Sequence, residues 1–311
     1  MQRPDAAAAF TLAHLSDPHL TSLVGVRASE LANKRILGYL SWRRRRRRVH
    51  RRETLNEVVA DLRSFAPDHL AVTGDLTHVG LPLECEAAAD WLRELGSSDR
   101  VSVVPGNHDR YAAADFDHTV GRWREYFRGD DGTTEFPFVR RRGNVALIGV
   151  DTALPTAPFL ATGRVGAVQR ERLARILDET CEAGFFRIAL IHHSPLMDGH
   201  ARRKRLTDAA QLSDVFNVHG VELVIHGHGH EERIDRLSGP HGAMLIVAVP
   251  SASHSEPGRA GWNQYRVSGE SGRWQLHIEA RRSSAEGFVT TLRETIAWSG
   301  PVSRAAVPRS R

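Results

Sequence analysis

Five short blocks of metal-ligating residue types, each following an apolar run, constrain this chain more than any other feature of its sequence. The blocks are Asp17-Pro18-His19, Gly74-Asp75, Gly106-Asn107-His108-Asp109, His192-His193 and Gly227-His228-Gly229-His230. A single His-x-His pair is a weak sign of a metal site, whereas five ordered blocks are hard to obtain by chance. The fold must therefore bring widely separated segments together at one place.

The apolar runs before the blocks predict buried β-strands, because they are short and rich in Val, Ile, Leu and Ala. The predicted strands cover residues 10–15, 69–73, 101–104, 145–150, 188–191, 223–225, 244–249, 262–267 and 274–278. Apolar residues at helical spacing predict helices over residues 51–65, 84–95, 168–183 and 208–218.

Strands that alternate with helices predict an α/β fold, in which sites gather at the carboxyl ends of strands. We expect one catalytic domain over residues 1–280, interrupted by a basic insertion at about residues 21–52. Residues 281–311 are expected to form a short helix and a loose tail. The predicted helix rests on Phe288, Leu292 and Ile296, which are spaced at i, i+4 and i+8.

The net charge of +5 comes mainly from one segment. Residues 43–52 hold eight arginines and no acid, so the rest of the chain carries a charge near −3. A basic surface over the whole protein is therefore excluded, which argues against a protein that coats nucleic acid. The charge predicts one contact patch for an anionic partner.

Cysteine usage and the N-terminal segment predict a cytoplasmic protein. Cys85 and Cys181 fall in predicted helices and do not form a disulfide framework. Pro4 and Asp5 interrupt any apolar leader, and signal-peptide cleavage after residues 10–15 would remove the first block. No run approaches the roughly 18 apolar residues of a transmembrane helix.

The blocks supply a mixed set of oxygen and imidazole ligands. The candidate ligands are Asp17, His19, Asp75, Asn107, His192, His228 and His230. Two metal ions roughly 3.5–4 Å apart can bind both the nucleophile and the phosphoryl oxygens of a displacement reaction. This ligand mixture suits Mn²⁺, Fe or Zn²⁺, and the distance of both cysteines from the blocks argues against a thiolate zinc site.

In composition and order, the blocks resemble the signature of the calcineurin-like metallophosphoesterase superfamily: Asp-x-His, Gly-Asp, Gly-Asn-His-Asp/Glu, a downstream His and Gly-His-x-His. The resemblance covers about residues 17–230, and it implies a two-sheet β-sandwich flanked by helices with a dinuclear metal site at strand ends. It also implies two ligand sets joined by Asp75 as the bridge. The first set is Asp17, His19 and His230, and the second is Asn107, His192 and His228.

The resemblance also assigns roles around the metals. His108 is expected to face the scissile phosphate, where it would stabilise the transition state or protonate the leaving oxygen. Asp109 is expected to orient neighbouring groups. A hydroxide that bridges the two metals would be the nucleophile, so no serine or cysteine nucleophile is needed.

Several other histidines are candidates for the surroundings of the site. His192 is preferred over His193 as the ligand, because the first His of such a pair is usually the ligand in similar proteins. His193 is then a candidate for a neighbouring or a packing role. His78, His254 and His200 are candidates for the cleft wall, and His226 is expected to be a strand residue.

Three interpretations of the arginine run stay open. Its uninterrupted core is Arg43, Arg44, Arg45, Arg46, Arg47 and Arg48. The run could be a solvated helix extension. Together with Leu37, Leu40 and Trp42 it also resembles an interfacial segment that would bind an anionic membrane surface. Nucleic acid ranks below the membrane, because no platform of interleaved aromatic residues is visible.

The favoured function is a two-metal phosphodiesterase, because the intact Gly106–Asp109 block resembles the bacterial class III cyclic-nucleotide phosphodiesterases. One alternative is a membrane-associated pyrophosphatase that resembles UDP-2,3-diacylglucosamine hydrolases, although the commonest of those carries Arg where this chain has His108. A repair nuclease and a non-catalytic scaffold are further alternatives. The complete ligand set argues against the scaffold.

Overall fold

Two six-stranded mixed sheets form the centre of the molecule in a computed structural model that describes residues 9–197 and 201–298. The strands are β1 (Phe10–Leu15), β2 (His69–Val72), β3 (Val101–Val103), β4 (Phe138–Arg142), β5 (Val145–Gly149), β6 (Phe186–Leu190), β7 (Leu223–His226), β8 (Arg233–Gly239), β9 (Gly242–Ala248), β10 (Gly261–Glu270), β11 (Arg273–Ser284) and β12 (Gly287–Ala297). The first sheet has the order β12-β11-β10-β1-β2-β3, and the second has the order β4-β5-β6-β7-β9-β8.

Helices accompany both sheets. They are α1 (Arg35–Ser41), α2 (Arg47–Val49), α3 (Arg52–Ser64), α4 (Pro82–Leu95), α5 (Ala167–Glu182) and α6 (Ala209–His219). A π-helical turn at Trp42–Arg46 joins α1 to α2, and 3₁₀ turns form at Ala28–Leu31 and Val120–Phe127. In the described parts of the chain, no helix combines the length and apolar character that a membrane crossing needs.

The inner strands of the second sheet, β5, β6, β7 and β9, are largely apolar because both of their faces are covered. Leu147 and Leu223 belong to the main core, which joins the two sheets with α3 and α4. Their neighbours Ile148 and Val224 belong to a second core, which α5 and α6 cover. Successive side chains of a strand point to opposite faces, so a strand between two cores has few positions for polar side chains. The buried Arg187 of β6 is an exception, and it is paired with Glu222.

All nine predicted strands and all four predicted helices are present. Three further strands, β4, β8 and β12, were not predicted, and each lies at an edge of its sheet. β4 contains three consecutive arginines, Arg140 to Arg142, and β8 contains Asp235 and Arg236. Edge strands tolerate such charged residues because one of their sides has no neighbouring strand, and this polar composition hides them from a search for apolar runs.

The predicted C-terminal helix is wrong: its residues form strand β12 at the edge of the first sheet. Phe288, Leu292 and Ile296 are separated by even numbers of residues, so their spacing also places them on one face of a strand. Along β12, half-buried residues alternate with exposed ones, and these three residues pack against the main core. The sheet therefore continues past the predicted boundary at residue 280, and residues 299–311 of the predicted tail lie outside the described part.

The basic insertion folds against the loop that follows β2. Trp42 packs with Leu23, Val79 and Leu81 in a small apolar cluster and is only 4% exposed. The buried Arg35 donates hydrogen bonds to the carbonyl oxygens of Val79 and Gly80, at 3.1 and 3.0 Å. These contacts fix the insertion next to the ends of β1 and β2, where the first two ligand blocks lie.

Candidate active site

The candidate metal ligands lie at the carboxyl ends of five strands. β1, β2 and β3 are parallel neighbours in the first sheet, and β6 and β7 are parallel neighbours in the second. The loops after these strands carry Asp17 and His19 (β1), Asp75 (β2), Asn107 (β3), His192 (β6), and His228 and His230 (β7). Because parallel strands end on the same side of their sheet, the two groups of loops can meet at one crevice.

The ligand loops have an unusual backbone conformation. In the described residues, seven non-glycine residues have positive φ, and five of them are candidate ligands. These five are Asp17, His19, Asp75, His228 and His230, with φ between 43° and 64°. Non-glycine residues in this region are strained, and such strain clusters at functional sites. The strained backbone therefore sets the direction of these five side chains.

Two glycines allow the loops to approach this closely. A side-chain carbon on Gly106 would overlap the carboxylate of Asp75, and one on Gly227 would overlap the side chain of Ser16 and approach Asp17. Hydrogen is thus the only side chain that fits either position without movement of the ligands.

The first predicted ligand set is assembled in the structure. Ligand atoms of Asp17, His19 and His230 lie within 4.8 Å of one another. His230 Nε2 is 3.0 Å from Asp17 Oδ1, and the backbone N–H of His228 donates to Asp17 Oδ2 at 3.0 Å. Burial alone would raise the pKa of Asp17, but His230 and other neighbours lower it, so Asp17 is held as a carboxylate.

Asp75 lies where a bridging ligand would have to be. Its carboxylate groups with Asp17 from the first set and with His192 from the second, within 4.8 Å. His192 Nε2 is 3.5 Å from Asp75 Oδ1. Burial disfavours a charged imidazole, yet the Asp75 carboxylate raises the pKa of His192 to about 9. The raised pKa means that the carboxylates stabilise a positive charge at this point, and a metal cation would supply that charge.

The second predicted set also comes together. His192 Nε2 is 3.2 Å from Asn107 Oδ1, and ligand atoms of His192, His193 and His228 lie within 4.8 Å of one another. The Nδ1 atom of His193 instead lies 2.7 Å from the Thr152 hydroxyl. His192 is therefore the member of the pair that reaches both Asn107 and the carboxylate of Asp75, which supports its preference as the ligand.

Three candidate ligand histidines are oriented in the way that metal sites require. One ring nitrogen of each faces a backbone carbonyl: His19 Nδ1 with Thr77 at 2.9 Å, His192 Nδ1 with Thr73 at 2.6 Å, and His228 Nε2 with Lys204 at 2.9 Å. Donation to a carbonyl fixes the tautomer and leaves the other nitrogen with a lone pair for a metal. The donor set thus fits a pair of divalent cations in chemistry and in orientation.

Asp109 joins two of the ligand loops instead of pointing into the crevice. Its carboxylate accepts backbone N–H bonds from Asp75, Thr77 and Gly106, at 2.8, 2.9 and 2.8 Å. Burial and the neighbouring Asp75 carboxylate raise the pKa of Asp109 to about 7. Asp109 is therefore placed to position the loops after β2 and β3, in line with the orienting role expected for it.

His108 is held between these loops and the insertion. Its backbone N–H donates to Asp75 Oδ1 at 2.7 Å, and its Nδ1 lies 2.5 Å from the carbonyl oxygen of His78. The carbonyl requires a proton on Nδ1, which leaves Nε2, 2.7 Å from Arg46 Nη1, as the acceptor nitrogen of the neutral ring. Burial lowers the pKa of His108 well below its usual value, and the nearby Arg46 guanidinium lowers it further.

The other candidate histidines lie around this centre. His78 stacks on His19 with ring centroids 5.1 Å apart, and His254 is buried beside the insertion, where it pairs with His50 in an isolated β-bridge. His226 is the last residue of β7, as expected, and His200 lies outside the described residues.

Two residues of the insertion reach the site in a way that the sequence interpretation missed. His50, which was not selected, packs on His19 with ring centroids 4.2 Å apart and on His230 at 5.6 Å. Arg46, which was grouped with five other arginines as a surface contact, has its guanidinium against the ring of His108. The one available signal was their i, i+4 spacing, which places both residues on the same face of a helical turn.

A two-sheet sandwich with aspartates and histidines gathered at its strand ends defines a metal-dependent hydrolase. Residues 10–232 match the family model of the calcineurin-like phosphoesterases, which covers well over half of the chain. The chain therefore belongs to the calcineurin-like phosphoesterase family, and it is a metal-dependent phosphoesterase.

Three proteins illustrate what this chain is similar to, one in sequence and two in fold. A probable cyclic nucleotide phosphodiesterase of a Synechococcus strain is 26% identical over 227 residues, which cover 71% of this chain and 80% of the relative. A dimetal phosphatase from Danio rerio has the same fold, with a TM-score of 0.60 at 13% identity over 92% of this chain and 99% of its own. A purple acid phosphatase from yellow lupin has a TM-score of 0.56 at 14% identity, over 98% of this chain and 58% of its own.

Replacement of Asp109 by Asn tests the positioning role of this carboxylate. The amide keeps the size of the side chain but loses one acceptor oxygen, so one of the loop N–H groups is left without its partner. We expect Asp109→Asn to weaken Mn²⁺ binding about 10- to 100-fold, as losses of residues that orient ligands do. Calorimetric titration with Mn²⁺ measures this change.

The matched control is Asp214→Asn, because Asp214 is exposed on α6 and belongs to none of the ligand blocks. We expect this control to bind Mn²⁺ as the wild type does. Equal Mn²⁺ affinity in Asp109→Asn and in the control would contradict the positioning role.

Proposed function

We propose that the protein is a phosphoric diester hydrolase that uses two divalent metal ions. The observation that carries this proposal is the position of the Asp75 carboxylate, which groups with Asp17 on one side and with His192 on the other. One carboxylate shared by two ligand sets is what a closely spaced metal pair requires. The name of the Synechococcus relative, a probable cyclic nucleotide phosphodiesterase, supports a diester as the substrate class.

The proposed ligand sets are those of the family signature. Asp17, His19 and His230 would hold one ion, whereas Asn107, His192 and His228 would hold the other. Mn²⁺, Fe and Zn²⁺ all suit this mixture of oxygen and imidazole donors. When bound, the ions supply an acidified water as the nucleophile and positive charge for the phosphoryl oxygens.

His108 serves the leaving group or the transition state in this proposal. Its Nδ1 is anchored on the His78 carbonyl, so the ring cannot rotate freely, and its Nε2 lies 2.7 Å from Arg46 Nη1. A fixed imidazole beside the scissile phosphate could pass a proton to the departing oxygen once its Nε2 has taken up a proton, because Nδ1 keeps its own proton on the His78 carbonyl. His193, His78 and His254 remain candidates for contacts around the substrate.

A second candidate function is hydrolysis of a pyrophosphate in a nucleotide-lipid, such as UDP-2,3-diacylglucosamine, at an anionic membrane surface. The observation that favours it is an exposed surface beside the site that combines charge and apolar area. We call it the insertion surface, and its members are Ile36, Leu40, Arg43, Arg44, Arg45, Arg47, Arg48, Phe159 and Leu160.

The insertion surface has the composition of an interfacial segment. Ile36 and Leu40 lie one turn apart on α1, and Phe159 is 79% exposed. Lys34 connects the insertion to the segment that carries Phe159 and Leu160, because its ammonium donates to the carbonyl oxygen of Leu160 at 3.0 Å. Apolar side chains next to several arginines match a surface of acyl chains and anionic headgroups. A peripheral position at the inner membrane, on its cytoplasmic side, follows from this proposal.

Nucleic acid and scaffold functions are less favoured. The exposed aromatic residue of the insertion surface is Phe159, and a lone ring does not make a stacking platform for successive bases. A scaffold that had lost its chemistry should lack a ligand, whereas this chain retains all seven candidate ligand residues.

Loss of metal ligands tests the phosphodiesterase proposal. We expect Asp75→Asn and Asn107→Ala to abolish hydrolysis of bis-p-nitrophenyl phosphate in the presence of Mn²⁺, because each removes a donor from the site. His108→Ala should lower turnover about 10²- to 10⁴-fold while the bound metal content stays unchanged. His118→Ala, at an exposed position, is the control. Full activity of Asp75→Asn and Asn107→Ala would disprove the site.

Vesicle flotation tests the insertion surface. Arg43, Arg44, Arg47 and Arg48 are changed together to Ser, whereas Arg46 is retained. We expect the wild type to float with phosphatidylserine vesicles and not with phosphatidylcholine vesicles, and the variant to float with neither, because each arginine near the surface contributes about 1 kcal/mol. Equal flotation of both proteins with phosphatidylserine would remove the membrane proposal and leave the hydrolase proposal intact.

A further inference from the structure

Arg46 differs from its neighbours in the arginine run. Arg43, Arg44, Arg45, Arg47 and Arg48 are exposed, whereas the side chain of Arg46 is turned inward and half-buried. Its Nη1 atom lies 2.7 Å from His108 Nε2 and 3.0 Å from His108 Nδ1. The guanidinium therefore covers the ring of the residue that is proposed to face the scissile phosphate.

The structure fixes the backbone of Arg46 on both sides. Upstream, Trp42 is locked in the apolar cluster of Leu23, Val79 and Leu81. Downstream, the carbonyl oxygen of Val49 accepts the N–H of Ser255 at 2.7 Å, and His50 Nδ1 lies 2.9 Å from the Ser253 hydroxyl. The turn that carries Arg46 thus spans from the loop after β2 to the loop after β9, and its side chain is held over the site.

The guanidinium has more donors than its surroundings use. It carries five N–H donors, and the neutral ring of His108 offers a single acceptor, at Nε2. Within residues 9–197 and 201–298, the nearby carboxylates of Asp75 and Asp17 pair with His192 and His230 and not with Arg46. A cation that is partly withdrawn from water and has unused donors is stabilised when an anion joins it.

Phosphate is the anion that fits this arrangement. The planar fork of a guanidinium matches two phosphoryl oxygens, and bonds between two charged groups are about twice as strong as neutral ones. The carboxylates of Asp75 and Asp17 are close enough to act on the charge of Arg46, so the guanidinium lies next to the proposed metal pair. A phosphoryl group bound to those metals would lie within reach of Arg46.

We infer that Arg46 is a substrate-binding residue, which the insertion delivers to the site and which binds the non-bridging oxygens of the substrate phosphoryl group beside His108. This inference rests on the proposed function, because it takes a phosphoryl group at the metal pair as the ligand. It separates the arginine run into one arginine that recognises substrate and five that face outward.

Binding of inorganic phosphate to the Mn²⁺-loaded protein tests the inference without catalysis. We expect Arg46→Gln to weaken phosphate binding in calorimetry about 10- to 100-fold, because a charge-assisted pair of hydrogen bonds is lost. Arg46→Lys should recover part of the affinity, because it keeps the charge and loses the fork. The KM for bis-p-nitrophenyl phosphate should rise with the same ranking, and the bound Mn²⁺ should stay unchanged.

Arg175→Gln on α5 carries the same change of charge at an exposed position and should behave as the wild type. Wild-type phosphate affinity in both Arg46 variants would overturn the inference. Loss of Mn²⁺ from Arg46→Lys would also overturn it, because Arg46 would then support the metal site and not the substrate. Neither result touches the proposed function, which fails instead if Asp75→Asn retains full activity.

Discussion

The geometry of the site depends on the backbone hydrogen bonds that the buried carboxylate of Asp109 accepts. It accepts N–H bonds from the loop after β2, at Asp75 and Thr77, and from the loop after β3, at Gly106. One side chain thus sets the distance between two ligand loops of neighbouring strands. The cost of burying it appears in its pKa, which burial and Asp75 raise to about 7, and the three backbone bonds offset that cost.

The ligand loops have a strained backbone, whereas the sheets that carry these loops are buried and rigid. Five candidate ligands have left-handed backbone conformations, which a relaxed chain would avoid. The strands that end in these loops are buried on both faces, and carbonyls of the same loops hold the ring nitrogens of His19 and His192. The rigid core can therefore maintain a site whose residues would not adopt these conformations alone, which pre-organises it for metals.

Much of this arrangement could be predicted from the sequence, because each ligand block directly follows a fully buried strand. Edge strands such as β8 were missed because their charged residues do not form an apolar run. The C-terminal helix was predicted wrongly because the spacing of Phe288, Leu292 and Ile296 fits both a helix and a strand. Arg46 could not be separated from its neighbours, because only the packing of Trp42 decides which arginine of the run turns inward.

The central claim is that one carboxylate, Asp75, joins two ligand sets into a site for two metal ions. The most direct test is the metal content of the wild-type protein, measured by elemental analysis after reconstitution with Mn²⁺ and removal of free metal. The account predicts two ions per chain. A content of one ion per chain, in protein that is folded and active on a phosphodiester, would contradict it.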